Sequence, residues 1–139
     1  MQTNILFENN TCVDAGCCWS HMQRPDRNGA HMMFYNNTAL TTNVVIRHNI
    51  FVNSTEVCVR FCEAPGSGME MKNNLYWQAP GVPFARVNKE TYCETDFAAY
   101  QSAINNDAGS VFTRPEFIAP AARDYRLKQK TQYGAQLNN

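Results

Sequence analysis

The chain has no surplus of either charge: twelve lysines and arginines balance twelve aspartates and glutamates over 139 residues. It has no basic run or stripe to neutralise a series of phosphates, which argues against nucleic acid as a partner. Long apolar runs are missing too, so no segment spans a bilayer as a helix and no membrane partner is expected. The opening residues MQTNILFENN lack the basic region and apolar stretch of a signal peptide; the sequence carries no export address of its own and leaves its compartment unassigned. Metal-site spacings are absent as well. Cys17, Cys18, His21 and His31 can be imagined around zinc, but no CxxC or HxxxH spacing supports it, and neither metal nor cofactor is expected. Six cysteines are many, yet Cys17 and Cys18 are adjacent, and Cys58 and Cys62 lie about 13 Å apart in an extended run, beyond disulfide reach of each other. Most are expected to act as small buried hydrophobes.

What the sequence does have is asparagine, sixteen in all, placed in a recurring pattern of apolar, any, apolar, any, any, Asn. It occurs as Ile5, Phe7, Asn10; Met32, Phe34, Asn37; Val44, Ile46, Asn49; and Met69, Met71, Asn74. Each match is followed two residues later by Cys12, Ala39, Phe51 or Tyr76. Period-two alternation puts Ile5 and Phe7 on one face and Leu6 and Glu8 on the other, as in a short strand with one buried face. The strand must then turn, and asparagine tolerates the left-handed conformation of tight corners while its amide reaches a neighbouring rung. Stacked corners predict an asparagine ladder along a solenoid. The sequons beginning at Asn9, Asn36 and Asn53 fall in or beside these corners, which accounts for them better than glycosylation does. Asn10 to Asn37 and Asn49 to Asn74 suit one three-strand rung with a loop. The interval from Asn37 to Asn49 is too short for one, and reads either as two successive corners or as an unusually tight rung.

Glu56 to Cys62 reads as a further strand, with Val57, Val59 and Phe61 on one face and Cys58, Arg60 and Cys62 on the other. Beyond Trp77 the repeat stops, and Pro80, Gly81 and Pro83 mark irregular chain. A helix is predicted from Asp96 to Asn106, with Thr95 or Asp96 as N-cap, Phe97, Tyr100 and Ile104 on one face, and Gly109 just past its end. Its apolar stripe is expected on the side of the solenoid. The tail reads as loops with one short strand, Asp124 to Leu127. A single all-β domain follows, with rungs over 1–79 and the helix and tail over 80–139.

The phrases FYNNTA, VVIRHNIFVNS and MKNNLYW resemble rungs of right-handed parallel β-helix proteins of the pectate-lyase-like superfamily. SVFTRPEFIAPAARDYRLK resembles the closing segment of secreted bacterial members, although the final KTQYGAQLNN departs from their Ser-Pro-Ala continuation. The resemblance covers about Asn4 to Lys128 and implies the last rungs of a longer solenoid. It also implies carbohydrate as the ligand class, because superfamily enzymes are mostly polysaccharide lyases and glycoside hydrolases. Their catalytic sets are not recognisable here: the acids near the rungs form no close pair, and the NTD, DD, GHG and RIK signatures of polygalacturonase-type hydrolases have no counterpart.

The densest polar segment, Gly16 to His31, reads as a loop between two rungs. Trp19 can stack on a sugar ring, Arg24 can pair with a uronic carboxylate, Gln23 adds a polar contact, and His21 or His31 can transfer a proton, with Asp26 beside them. The plainer reading has Trp19 anchoring the loop, Arg24 and Asp26 as a local ion pair, and His31 satisfying backbone groups. Arg47 and Arg60, both facing outward, can extend a binding groove. The expectation is a non-catalytic or degenerate β-helix module that binds an oligosaccharide or completes a larger assembly. The alternative is a lyase or hydrolase fragment acting on an acidic polysaccharide, with His21, Arg24, Asp26 and His31 as candidate catalytic groups. A first rung without a cap predicts self-association as a dimer through the open end.

Overall fold

The structure, a computed structural model, describes residues 2–17, 29–35, 41–129, 133 and 137. Among these residues the architecture is all-β, with one short α-helix. Nine strands lead it: β1 (Gln2–Glu8), β2 (Thr11–Ala15), β3 (Met32–Phe34), β4 (Thr41–Arg47), β5 (Ile50–Ser54), β6 (Val59–Phe61), β7 (Met69–Lys72), β8 (Leu75–Trp77) and β9 (Ala85–Val87). Each of β1 to β6 pairs in parallel with the strand three places on, giving sheets β1-β4-β7, β2-β5-β8 and β3-β6-β9. The chain visits the three sheets in turn and completes three such circuits.

The register explains why these sequences alternate as they do. In the first sheet Ile5, Val44 and Met69 stand opposite one another, as do Phe7, Ile46 and Met71. The second sheet aligns Cys12, Phe51 and Tyr76, and the third aligns Phe34, Phe61 and Val87. These columns meet in one apolar core shared by all three sheets. Phe7 stacks on Phe51 at 6.4 Å and Phe34 on Phe61 at 5.0 Å, the offset arrangement that aromatic rings favour.

The corner between the first two sheets carries the ladder. Asn10 donates its backbone N–H to Asn49 Oδ1 at 3.0 Å and its Nδ2 at 3.1 Å; Asn49 repeats both bonds onto Asn74 Oδ1 at 3.0 and 3.1 Å. The left-handed residue is not the ladder asparagine, as expected above, but its predecessor: Asn9, His48 and Asn73 take φ of 56°, 57° and 53°. Two neighbouring residues share the two tasks, because the side chain that reaches the next circuit must point along the stack while the chain bends just before it. Asn37 lies outside the described residues. Met32 and Phe34 belong to the third sheet, so the short interval before Asn49 contains a passage from one sheet to the next rather than a complete circuit.

Three further differences concern the later chain. The parallel register continues past residue 79 through β9, and a short β11 (Val111–Phe112) extends the second sheet beside β8. The predicted strand from Glu56 shortens to Val59–Phe61, and Cys58, expected on the outer face, is buried in the corner with Sγ 3.7 Å from the carbonyl oxygens of Phe51 and Trp77. The helix α1 (Phe97–Ile104) stops at a left-handed Asn105, before Gly109, because that residue already turns the chain. Its Tyr100 and Ile104 join the common core, with Tyr100 against Tyr76 and Phe84, so the helix closes the end of the core rather than lying on its side. An antiparallel β10 (Glu90–Tyr92) finishes the third sheet. A final hairpin of β12 (Phe117–Ala119) and β13 (Asp124–Leu127) covers the outer face of the second sheet, where Ile50, Val52 and Leu75 meet Phe117 and Leu127 in a second core.

Candidate functional site

Among the proposed site residues, Trp19, His21, Gln23, Arg24 and Asp26 lie outside the described residues. The stems of their loop are described. Gly16 and Gly29 pack together so closely that a Cβ on either would meet Thr55 Oγ1 of the next circuit. The loop is therefore rooted against Thr55, next to Glu56, at the corner between the second and third sheets. His31 leaves this root with Nε2 2.8 Å from the carbonyl oxygen of Asn53 and 3.2 Å from that of Val52, its ring tilted on Phe51 at 5.8 Å. Donation from Nε2 to these two carbonyl groups braces the backbone. Burial pushes the pKa of His31 below the ordinary value, against the opposing pull of these bonds and of Asp14.

The two strand arginines do not share a groove. Arg47 projects from the first sheet and pairs with Glu8, Nε to Oε2 at 2.7 Å. Arg60 projects from the third sheet, in register with Met33 on one side and Arg86 on the other. Arg86 was not among the predicted site residues. Its signal was present in the repeat, since it follows Arg60 by 26 residues, close to the 25 that separate Asn49 from Asn74. Neighbouring strands lie about 4.8 Å apart, so the two guanidinium groups stand side by side.

Glu56 reaches both. Its Oε1 accepts from Arg60 at 2.9 Å and lies 3.9 Å from Arg86. Its Oε2 and Arg86 Nε are both buried without a hydrogen-bond partner. One carboxylate thus orients two cations, leaving the cluster with a net positive charge and hydrogen-bonding capacity unused on both sides. Unused capacity beneath the surface costs free energy unless a further group supplies partners. Arg60 is about a third exposed, so its ion pair contributes little to stability by itself. The arrangement suits a planar anion that takes two parallel N–H bonds.

A separate groove of about 660 Å³ runs between the second sheet and the tail, floored by Val13, Val52 and Trp77 and flanked by Arg114, Glu116 and Tyr125. Both signs of charge line it, and it lies on a different face from the arginine pair. Among the described residues, Cys12, Cys58, Cys62 and Cys93 form no disulfide. Burial pushes Cys58 up to about 12, so it behaves as an apolar residue. Among the described residues no group of three or more His, Cys, Asp or Glu side chains is placed to hold a metal ion, and no helix is long and apolar enough to cross a membrane. Comparison of the chain with protein-family models, with curated proteins and with solved structures finds no match to any of them.

Proposed function

We propose that this chain is a right-handed parallel β-helix module of the pectate-lyase-like kind, and that it binds an acidic glycan without cleaving it. The fold half of the reading rests on the strand order, in which each of β1 to β6 pairs in parallel with the third strand after it, and on the stacked corner asparagines. Right-handed crossovers are the rule for parallel strands in one sheet. The observation that carries the functional half is the Arg60–Arg86 pair on the outer face of the third sheet, held by Glu56 with Arg86 Nε still unpartnered. A uronic carboxylate supplies an acceptor to the two guanidinium groups, and successive sugar residues can run along the strands of the third sheet. Glu56 serves as an orienting group in this reading, since its oxygen is already shared between two guanidinium groups.

Calorimetric titration with oligouronides, set against the same oligomers after carboxyl reduction, tests it. Charge-assisted bonds contribute about 1.5 to 3 kcal/mol each, so Arg86→Gln is expected to weaken the acidic ligand about tenfold or more and to leave the reduced one unchanged. Equal affinity for both glycans, or an Arg60→Gln/Arg86→Gln variant that stays folded and binds as the parent does, refutes the reading. Unsaturated or newly reducing sugar ends released by the purified chain would replace binding with lyase or hydrolase activity.

A further inference from the structure

We infer that the groove between the second sheet and the tail hairpin binds a short apolar peptide with both ends free, its ammonium drawn to Asp14 and its carboxylate to Arg114. The site stands apart from the glycan reading, which uses the outer face of the third sheet.

The floor is one column of the second sheet. Val13, Val52 and Trp77 stand opposite one another in register on its outer face. Two residues earlier along the same strands, Ile50 and Leu75 are wholly buried in the second core with Phe117 and Leu127 of the hairpin. The cover thins at the next column. Val13 and Trp77 stay half-buried, and about 660 Å³ opens between them and the hairpin, flanked by Tyr125. That volume lies within the roughly 300 to 1,000 Å³ of small-ligand sites, and an indole beside aliphatic side chains offers apolar surface to the body of a ligand.

The charges follow the column. Asp14 comes just after Val13, and its left-handed backbone, φ 56°, breaks the strand alternation and brings it to the groove. Arg114 comes just after Thr113, whose N–H donates to Tyr76 O at 3.0 Å, and so stands one strand beyond Trp77. Acid and cation are therefore three strand spacings apart, about 14 Å, with the apolar floor between them. Among the described residues Arg114 makes no ion pair, and the Asp14 carboxylate holds one long bond, from Asn53 Nδ2 at 3.3 Å. The other two charges of the groove offset each other: Glu116 and Lys128 stand opposite in the hairpin, where Lys128 N–H donates to Glu116 O at 2.9 Å.

The occupant must match both signs and the floor. An extended tripeptide covers about 10 Å, and the Asp14 and Arg114 side chains supply the remaining reach. Apolar side chains then lie on Val13, Val52 and Trp77. A ligand with a single charge leaves Asp14 or Arg114 unmatched beside an apolar body, and an acidic glycan brings no cation.

Nuclear magnetic resonance of the isotope-labelled chain tests this, because Trp77 is one of only two tryptophans and Trp77→Phe identifies its indole N–H signal. Val-Phe-Val is expected to move that signal in a saturable way, and Gly-Gly-Gly, with the same ends and no apolar body, to leave it in place. Acetylating the amino end and amidating the carboxyl end should each weaken Val-Phe-Val about threefold, the scale of a partly exposed ion pair. Asp14→Asn should abolish the penalty for acetylation alone, and Arg114→Gln the penalty for amidation alone, while Asp14→Glu and Arg114→Lys keep both. Arg86→Gln should bind the peptide as the parent does. A Trp77 signal that does not saturate at millimolar Val-Phe-Val, or that moves as far with Gly-Gly-Gly, overturns the inference. So does a block that costs nothing at either end, a penalty that survives its matching variant, or peptide binding that is lost in Arg86→Gln.

Discussion

Replacing Asn74 by alanine probes the ladder at its most enclosed point. The side chain is fully buried and makes four bonds: Oδ1 accepts from the backbone and the amide of Asn49, and Nδ2 donates to Ile46 O and Asp107 Oδ1, both at 3.1 Å. Alanine leaves Asn49 N–H with no partner, while Asn49 Nδ2 keeps Phe7 O and Asp107 Oδ1 keeps the Ser110 hydroxyl. One buried orphaned donor costs about 1 to 3 kcal/mol, and the weakened neighbours and small void add to it, so a loss of about 3 kcal/mol is expected. That is a large part of the roughly 5 to 15 kcal/mol typical of a domain, but not all of it. The comparison that isolates the ladder is Asn10→Ala. Asn10 is only half-buried, and Asn49 Oδ1 retains the bond from the Asn10 backbone, so about 0.5 to 1 kcal/mol is expected there. Urea unfolding of both variants, followed by circular dichroism with the slope held to the parent's, measures the difference. Equal costs, or a loss under about 1 kcal/mol at Asn74, would refute the view that the ladder strengthens from Asn10 toward Asn74.

Two further outcomes follow from the loop root and the buried ring. Gly29→Ala should cost about 1 to 3 kcal/mol by overpacking against Thr55 and the Glu56 backbone, and adding Thr55→Ala should restore part of it; a cycle of thermal melts showing simple additivity contradicts the contact. His31 has a lowered folded pKa, so between its unfolded value near 6.5 and that lower value the unfolded chain holds more protons than the folded one. Stability from this residue is therefore present above the unfolded pKa and lost as the pH falls through it. His31→Gln should flatten that part of the urea midpoint between about pH 7 and pH 5, and an unchanged pH profile would show that the ring does not contribute.

The apolar alternation around Ile5, Val44 and Met69 was legible because a buried face at period two leaves a direct trace in residue type. The strand Asp124–Leu127 was legible for the same reason, and its bounds agree with the hairpin. Which sheet each strand joins was not, since Met32 and Phe34 carry the same alternation as Ile5 and Phe7 but pair with Val59 and Phe61. Composition cannot assign strands to sheets when all the inner faces are apolar. The late strands β9 and β10 were hidden by the prolines and glycine at residues 80–83, which end one segment without preventing the next from pairing. Arg60 was visible singly as an outward residue. Its pairing with Arg86 through Glu56 depended on a register that only the alignment of circuits reveals, and Trp19, His21, Gln23, Arg24 and Asp26 lie outside the described residues.

The ladder also has a direction, and its last member tests what that direction requires. Each asparagine donates toward the next circuit, so the final position must accept. Asp107 does this: it takes Asn74 Nδ2 at 3.1 Å, the Ser110 hydroxyl, and Tyr100 Oη at 3.2 Å. Acceptance alone does not need a charge, and burial raises the Asp107 pKa despite the bonds from Ser110, Asn74 and Tyr100 that lower it. No ion pair to Asp107 is present among the described residues. A carboxylate with a raised folded pKa contributes stability that is present below its unfolded value and lost as the pH rises through the folded one. Asp107→Asn keeps an oxygen for Asn74 and Ser110 and turns an amide toward the Tyr100 oxygen, whose own proton can pass to the buried, unpartnered hydroxyl of Tyr76. The variant should lie closest to the parent at pH 3 and gain on it by pH 7, because raising the pH works toward ionising a buried carboxyl in the parent alone. Urea midpoints at the two pH values measure this. A variant less stable than the parent by the same amount at both would show that the ladder's end depends on a group with no proton to donate, and that the cost of the charge is outweighed by three converging donors.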